Sequence, residues 1–207
     1  MSSNYAEKLK HPVFKVVSQC ATEHGLDAYV IGGFVRDLVM ERPSKDIDIL
    51  VLGDGPEFAE AVAKILRVKK VSVFKNFGTA HFRYKDLDVE FVGARKESYS
   101  RDSRKPITEK GTLQDDQNRR DFTINTLALK LNTESFGELV DPFGGVLDIE
   151  KGIIRTPLEP EITFSDDPLR MLRAIRFATR FDFQIERTSL EAMKKQANRL
   201  EIISQER

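Results

Sequence analysis

Cysteine and tryptophan are almost absent from the sequence, which has one cysteine, Cys20, and no tryptophan in 207 residues. A single thiol can form neither an internal disulfide framework nor a zinc site built on several cysteines. Such sparse cysteine usage is typical of cytosolic proteins, in which disulfides are rare. The composition therefore predicts a cytoplasmic location.

Long apolar runs are also lacking. The run at residues 47–52 is interrupted by Asp48 and is far shorter than the roughly 20 residues that a membrane-spanning helix needs. The opening segment, MSSNYAEKLK, has no apolar core of the kind found in secretory signals. The histidines, His11, His24 and His81, show no metal-ligand spacing. We therefore expect no membrane partner and no histidine-based metal site.

An excess of charge of either sign is missing, because 33 basic residues balance 33 acidic ones. Nucleic-acid-binding domains often carry a basic surplus. Any contact with RNA must therefore be local, or lie in a part of the protein outside this chain. The hydrophobic content of 40% is typical of a globular protein with a core.

Periodicity divides the chain into a strand-rich part and a helix-rich part. Apolar patterns predict strands at residues 28–31, 46–52, 68–74, 80–84, 87–92 and 139–140. They predict helices at residues 34–40, 56–66, 121–131, 166–181 and 189–200. This order predicts an α+β fold, in which a mixed-sheet domain at residues 1–145 is followed by a helical domain at residues 146–207. Residues 93–112 are charged and aperiodic, which indicates a mobile surface loop that could act as a lever or lid.

Two aspartates, Asp46 and Asp48, lie two positions apart on a predicted strand. Side chains alternate along a strand, so both carboxylates point to the same face. Two carboxylates this close repel each other unless a cation lies between them, and Mg²⁺ prefers such oxygen ligands. A third carboxylate is available on the strand at residues 87–92, although spacing alone does not choose between Asp88 and Glu90.

A glycine pair, Gly32-Gly33, follows a predicted strand and opens a predicted helix. Glycine lets the backbone approach a phosphate closely, and the start of a helix favours an anion. Arg36 lies one turn into this helix and could also reach a phosphate. Because the pair shortly precedes the two aspartates, one unit could supply both a triphosphate site and metal ligands.

Four motifs, taken in order, resemble those of the class II tRNA nucleotidyltransferase (CCA-adding enzyme) and bacterial poly(A) polymerase family. The matching segments are GGFVRD at 32–37 followed by DID at 46–48, RRDFTIN at 119–125, DPFGG at 141–145 and DDPLRMLRAIRF at 166–177. The corresponding family motifs are GGxVRD…DxD, RRDFTxN, DPxGG and EDPxRxLRxxRF. The last segment departs from the family in having Asp166 where glutamate is usual.

The resemblance implies a polymerase-β-like nucleotidyltransferase head with a mixed β-sheet, followed by the start of an all-helical neck. It implies an enzyme that adds CMP and AMP from CTP and ATP to the 3′ end of tRNA without a template, using two Mg²⁺ ions. Related proteins continue into further domains. We therefore expect the chain to be truncated within the neck, and its grip on RNA to depend on domains that it lacks.

The resemblance also implies roles for individual residues. Asp46 and Asp48 hold the metal ions, and the spacing to Arg95 in related sequences selects Glu90 as the third catalytic carboxylate. The nucleotide-binding residues that it implies are Gly32, Gly33, Arg36, Arg120, Asp121, Asn125, Asp167, Arg170, Arg173 and Arg176.

Asp167 and Arg170 are the expected readers of the base. Cytosine and adenine each present an exocyclic amino donor beside a ring-nitrogen acceptor, which an aspartate and an arginine complement. Uracil and guanine present the reverse order and would leave a buried carboxylate facing an oxygen. This pairing would select CTP and ATP without a nucleic-acid template.

The predicted helix at residues 166–181 carries two stripes at helical spacing. Its basic stripe consists of Arg170, Arg173, Arg176 and Arg180. Its apolar stripe, which we expect to pack, consists of Leu169, Leu172 and Ile175. We expect Ser165 or Asp166 to cap this helix, with Pro168 in its first turn.

Other activities share these motifs. Poly(A) addition, or addition restricted to A or to CC, is the nearest alternative. The short segment before Gly32 favours the tRNA enzyme, because poly(A) polymerases of the family tend to have longer basic N-terminal extensions. A non-catalytic RNA- or nucleotide-binding module is a hypothesis of another class. Loss of Asp46 or Asp48 would mark such a module, and both are present.

Overall fold

A seven-stranded mixed sheet forms the centre of the computed structural model, which describes residues 4–75, 78–98 and 107–203. The strand order is β3-β4-β5-β2-β1-β8-β9, and every neighbouring pair is antiparallel except β2 and β5. The strands are β1 (Ala28–Ile31), β2 (Asp46–Val51), β3 (Ser72–Phe74), β4 (Thr79–Tyr84), β5 (Leu87–Gly93), β8 (Ala128–Lys130) and β9 (Leu139–Val140). Two small two-stranded sheets pair β6 (Arg95–Ser98) with β7 (Ile107–Lys110), and β10 (Ile153–Ile154) with β11 (Gln184–Ile185).

The α-helices are distributed along the whole chain. They are α1 (Pro12–His24), α2 (Gly33–Val39), α3 (Gly55–Leu66), α4 (Leu113–Asn118), α5 (Gly145–Lys151), α6 (Pro160–Asp166), α7 (Leu169–Phe181) and α8 (Arg187–Gln196). Local signals set their starts. The side chain of Asp54 accepts a hydrogen bond from the backbone N–H of Glu57 at the start of α3, and Thr112 and Asp115 form a capping box on α4.

The two faces of the central sheet differ because side chains alternate along each strand. On one face, Val30, Ile47 and Val89 pack against α1 and α3 in the main hydrophobic core. On the other face, Ile31 and Leu50 belong to a much smaller apolar cluster. We call this second side the carboxylate face, because the residues of β2 that alternate with Ile47 include the aspartates described below.

A second hydrophobic core lies between the sheet and the C-terminal helices. Phe122 and Ile124, from the segment before β8, belong to it together with residues of α6, α7 and α8. The ring of Phe122 meets that of Phe177 at a centroid distance of 5.9 Å. Residues on both sides of position 145 therefore share one core. The domain boundary at that position stays a prediction.

The predicted α+β fold, with a mixed sheet followed by helices, is confirmed, but the helix predicted at residues 121–131 is wrong. This segment forms a 3-10 turn at Thr123–Asn125 and then strand β8, which pairs with β1 and β9. The apolar side chains of this segment are buried whichever face of the strand they lie on. A short apolar run of this kind fits a buried strand as well as a helix, so periodicity does not separate the two.

The helix predicted at residues 166–181 is in fact two helices. Asp166 ends α6, Asp167 is extended (φ −140°, ψ 101°), and α7 begins at Leu169. Pro168 explains the break, because proline disfavours a helical conformation in the residue before it. Ser165 and Asp166 therefore belong to α6 and do not cap α7.

The apolar stripe predicted on this helix is also wrong. Leu172 and Ile175 are 38% and 52% exposed, whereas Met171, Ala174 and Phe177 are buried. The face of α7 that meets the rest of the protein is the one that carries Arg170, which is buried and bonded as described below. Because Arg170, Met171 and Ala174 occupy the inward face of α7, Leu172 and Ile175 lie on its exposed face.

The segment at residues 93–112 is not a uniform loop. Arg95–Ser98 and Ile107–Lys110 form the antiparallel pair β6–β7, and the backbone N–H of Gly111 donates to the carbonyl of Ala94. Residues 99–106, to which the prediction of mobility also applies, lie outside the described residues. Within the described part of the chain, we find no helix that is both long and apolar enough to cross a membrane.

Candidate active site

A row of carboxylates crosses β2 and β5 on the carboxylate face. In the parallel pairing of these strands, Asp46 lies opposite Asp88, and Asp48 lies opposite Glu90. Adjacent strands are separated by about 4.8 Å. All four side chains belong to the same face, because they alternate with core residues such as Ile47.

Asp48 has the most unusual environment of the four. Burial raises the pKa of its carboxyl group to about 6, against the opposing effect of Arg120. The negative charges of Glu90 and Asp46 contribute to this rise. The ionised form of Asp48 is therefore disfavoured in the folded chain and would gain from a cation beside it.

The two candidates for the third carboxylate lie in different surroundings. Asp88 is engaged, because its Oδ1 lies 3.2 Å from Nε2 of His81 on β4. Glu90 is exposed and directly opposite Asp48. This arrangement favours Glu90, which the resemblance also selects, over Asp88.

The donor set fits Mg²⁺, although no three His, Cys, Asp or Glu side chains among the described residues form a preformed metal cluster. Mg²⁺ does not need one, because it usually takes one or two carboxylates and completes its shell with water and phosphate oxygens. Asp46 and Asp48 supply hard oxygen ligands on one strand face, and burial makes an added cation favourable at Asp48.

The glycine turn lies beside this row. Gly32 has a φ of +74°, and its N–H donates to the carbonyl of Leu127. A Cβ atom at this position would lie 2.7 Å from Nη1 of Arg120 and 3.6 Å from Oδ2 of Asp48. Glycine is therefore required by both the positive φ and the close approach of these two side chains. The turn brings α2, the Asp pair and Arg120 together.

Arg36 lies beside the glycine turn, because a Cβ atom at Gly33 would lie 3.5 Å from its Nη2. Its guanidinium is buried, donates to Oδ1 of Asp37 and to Oδ1 of Asn125, and stacks on the rings of Phe177 and Phe181. The contacts with both rings connect α2 to α7. The buried guanidinium of Arg36 therefore stabilises the packing of α2 against α7.

A chain of hydrogen bonds continues from Arg36 to the surface. Asn125 donates from Nδ2 to Oδ1 of Asp121, at 2.9 Å. Oδ2 of Asp121 accepts from Arg173, whose Nε and Nη2 lie 2.7 and 2.6 Å away. Two donors of Arg173 thus converge on one oxygen of Asp121 and fix its side chain. The sequence-predicted residues Asp121, Asn125 and Arg173 are thus brought together in one network.

The two arginines that begin the RRDFTIN motif converge on one buried acid. Arg119 and Arg120 both bond to Asp116, which is fully buried on α4. This pairing orients Arg120 toward Asp48 and the glycine turn, where its Nη1 also donates to the carbonyl of Asn125. Sequence analysis missed Asp116. The available signal was its spacing, three and four residues before the arginines.

Arg170 is held by backbone carbonyls. It donates to the carbonyl of Thr163 at 3.3 Å and to that of Arg119 at 2.5 Å, and it is buried. Asp167 accepts from the backbone N–H of Leu169 at 3.1 Å, and it is partly exposed. The two expected base readers therefore flank the break between α6 and α7.

The remaining arginine of the set, Arg176, is exposed and lies 5.1 Å from the centroid of the Phe177 ring. Glu97 on β6 is a residue that sequence analysis missed. Its side chain is only 3% exposed and pairs with Arg95 and Arg119. No signal in its charged, aperiodic segment pointed to burial.

Comparisons with known proteins identify the family of the chain. Residues 28–155 match the model of the poly A polymerase head domain. The chain is 42% identical over 173 residues to the A-adding tRNA nucleotidyltransferase of Aquifex aeolicus (strain VF5), a match that covers 84% of this chain and 21% of that protein. It is 37% identical over 193 residues to the CCA-adding enzyme of Lactobacillus helveticus (strain DPC 4571), covering 92% of this chain and 46% of that protein.

A solved structure of a relative has the same fold. The Thermotoga maritima CCA-adding enzyme complexed with tRNA superimposes with a TM-score of 0.80 at 38% identity, covering 93% of this chain and 43% of that one. The chain spans less than half the length of these relatives. The matched domain, the shared fold and the level of identity show that the chain belongs to the class II tRNA nucleotidyltransferase and bacterial poly(A) polymerase family and contains its head domain.

Proposed function

We propose that the chain is the catalytic head and the start of the neck of a template-independent tRNA nucleotidyltransferase. The reaction is the addition of CMP and AMP, from CTP and ATP, to the 3′ end of tRNA. The observation that carries the proposal is the placement of Asp46 and Asp48 opposite Glu90, beside the Gly32 turn and Arg120. The names of the matched relatives support the choice of tRNA as the acceptor.

Asp46 and Asp48 are the residues that would hold the two Mg²⁺ ions, with Glu90 as the third carboxylate. When bound, these ions supply activation of the attacking 3′-hydroxyl and neutralisation of the leaving pyrophosphate. Asp46, Glu90 and the partly buried Asp48 would orient the reacting groups from one face of the sheet. Their fixed positions on adjacent strands would hold the attacking oxygen close to the α-phosphorus.

The Gly32-Gly33 turn and Arg120 are proposed to meet the triphosphate. The absence of a Cβ at Gly32 lets the guanidinium of Arg120 lie directly against the turn. Asp116 holds the guanidinium of Arg120, so a phosphate would meet a preoriented positive charge. Arg36 is proposed to meet the triphosphate as well, because its guanidinium lies beside Gly33 and is held there by Asn125.

Asp121 and Asn125 are proposed to face the ribose, and Arg173 to fix the orientation of Asp121. Asp167 and Arg170 are proposed to read the base. An aspartate accepts from the amino group of cytosine or adenine, and an arginine donates to the ring nitrogen. The backbone carbonyls of Thr163 and Arg119 orient Arg170 for this contact. Arg176 is proposed to meet phosphate.

Addition of A alone is a second candidate, because the Aquifex aeolicus relative, at 42% identity, is an A-adding enzyme. The head boundary near residue 145, a lever role for the segment at 93–112 and a cytoplasmic location remain part of the proposal. A reduced compartment fits the single, buried Cys20. Since relatives are much longer, we expect their other domains to supply most of the grip on tRNA.

Nucleotide incorporation tests the proposal. The chain, and a longer protein containing it, would be incubated with Mg²⁺, labelled CTP or ATP, and tRNA lacking its 3′ CCA. We expect ordered addition of C, C and A, and none with Asp46→Ala/Asp48→Ala. Addition of a single A only to tRNA ending in CC would establish the A-adding enzyme, and long A tails would indicate a poly(A) polymerase. Absence of incorporation by the longer protein would refute a catalytic role.

A further inference from the structure

A basic groove lies at the edge of the central sheet, beyond the carboxylate row. It has a volume of about 500 Å³ and is lined by Ser72 and by residues 66–70 and 81–84. Four of these residues are Arg or Lys and none is Asp or Glu; the basic ones are Arg67, Lys69, Lys70 and Arg83. All four are exposed, and none forms an ion pair in the part of the chain that the structure describes. In a chain with no net charge, this is a local concentration of unpaired positive charge.

The groove is next to the proposed catalytic carboxylates. Strand β4 pairs with β5 so that Arg83 lies opposite Asp88, and His81 lies opposite Glu90. Strand β3 lies beyond β4, with Ser72 opposite His81. At about 4.8 Å per strand, β4 and β3 lie about 5 and 10 Å from β5. The groove therefore begins one strand away from the third carboxylate.

The groove and the glycine turn lie on opposite sides of the carboxylate row. The turn containing Gly32 follows β1, which flanks β2 on one side, whereas β5, β4 and β3 extend from β2 on the other. In phosphoryl transfer, the attacking and leaving oxygens are roughly in line, on opposite sides of the phosphorus. A triphosphate bound at the Gly32 side would leave the other side of the carboxylate row, where the groove lies, open to the attacking RNA strand.

An exposed aromatic residue accompanies the positive charges. Phe74 on β3 is 49% exposed and alternates with Val73, which packs on the main core, so its ring lies on the carboxylate face. Proteins bind single-stranded nucleic acid by combining basic grooves, which follow the phosphates, with aromatic rings on which bases stack. The edge formed by β3 and β4 offers both.

We propose that this edge binds the single-stranded 3′ end of the RNA that receives the nucleotide. Lys69, Lys70 and Arg83 contact its phosphates, and Phe74 supplies a stacking surface for one base. This inference rests on the proposed function, and it assigns a second contact to the RNA within the head itself. The sequence contains the residues but does not reveal the grouping, because residues 66–70 and 81–84 come from separate elements.

Binding is tested with a fluorescent single-stranded RNA that ends in a 3′-hydroxyl, titrated with the full chain at several salt concentrations. The variant is Lys69→Gln/Lys70→Gln. The matched control is Lys10→Gln/Lys15→Gln, which removes the same charge from exposed lysines near α1 that do not line the groove. We expect only the first variant to bind more weakly, with a log–log salt dependence shallower by about 0.7 for each phosphate that the protein no longer neutralises.

Kinetics test the same contact during the reaction. For Lys69→Gln/Lys70→Gln we expect the KM for the RNA to rise about tenfold, with the KM for ATP unchanged. Phe74→Ala should raise the KM for RNA, and Phe74→Tyr should restore it, because tyrosine keeps the ring. Melting temperatures equal to that of the unmodified chain would exclude a general loss of structure.

The outcomes separate the two proposals. Incorporation by the unmodified protein, with equal KM values for RNA in variant and control, overturns this inference and leaves the proposed function intact. If the unmodified protein incorporates no nucleotide, the proposed function fails, and the binding titration alone decides about the edge. Equal affinities of variant and control in that titration would also overturn the inference.

Discussion

Arg36 donates a 2.7 Å hydrogen bond from Nη1 to Oδ1 of Asn125, a residue 89 positions later in the chain. The same guanidinium pairs with Asp37 and lies over the rings of Phe177 and Phe181. One buried side chain thus connects the helix after the glycine turn, the RRDFTIN motif and α7.

Replacement of Arg36 by alanine should be strongly destabilising. The change leaves Asp37, which is 7% exposed, without its positive partner, and breaking a buried pair in this way costs about 3–5 kcal/mol. Urea unfolding measures the loss. Arg42→Ala is the matched control, since Arg42 also stacks on Phe181 but is exposed, and it should cost about 1 kcal/mol or less. Similar losses for both variants would contradict the buried pairing.

Replacement of Asp48 by asparagine should abolish incorporation but stabilise the metal-free chain near neutral pH. The change removes a buried negative charge that is close to Glu90 and Asp46. For a chain of this size, each kcal/mol gained raises Tm by about 2–4 °C. Calorimetry should also show that Mg²⁺ raises the Tm of the unmodified chain and not that of Asp48→Asn. A lower Tm for Asp48→Asn without metal would refute this account.

Replacement of Gly32 by alanine should cost more than the same change at Gly25. Both glycines have a positive φ, but only Gly25 (φ 62°, ψ 34°) is in the αL region, where an L-residue costs about 1–2 kcal/mol. Gly32 (φ 74°, ψ −134°) lies outside that region, in a conformation that essentially only glycine adopts. A Cβ at Gly25 meets nothing within 4 Å, whereas one at Gly32 would displace Arg120. Unfolding experiments should show the difference, and only Gly32→Ala should raise the KM for ATP. Equal effects on both measurements would mean that the contact with Arg120 is unimportant.

Cys20 should react slowly with iodoacetamide in the folded chain. Burial, and secondarily the charge of Glu23, raise the pKa of its thiol to about 11, and only the thiolate reacts. Folding favours the protonated thiol, so its contribution to stability is full below the unfolded pKa of about 8.5 and is lost as pH rises toward 11. The urea midpoint should therefore fall more between pH 8 and pH 10 in the unmodified chain than in Cys20→Ala. Identical pH dependence in the two chains would argue against a buried thiol.

The sequence predicted the strand face shared by Asp46 and Asp48, because strand alternation is a local property. It did not distinguish Asp88 from Glu90, since that choice depends on the register between β2 and β5 and on the position of His81. Register is set by the packing of whole strands and is not encoded in the spacing of any one of them.

The arginines show the same limit. Spacing placed Arg36 one turn after the glycine pair and Arg170 in a basic stripe, but it did not reveal that both are buried. Burial became possible because carbonyls, acids and aromatic rings from distant segments satisfy each guanidinium. By contrast, the break at Pro168 is a local effect that sequence analysis alone could have anticipated.

The packing of Phe122 against Phe177 limits which segments can be exchanged between members of this family to make chimaeras. A head transplanted from a relative would bring its own version of Phe122 and leave behind the α7 ring that faces it. Because close-packed interfaces tolerate little change in volume, such a hybrid would begin with a void or a clash at the joint. Functional chimaeras should therefore inherit the segment at residues 119–125 and α7 from the same parent.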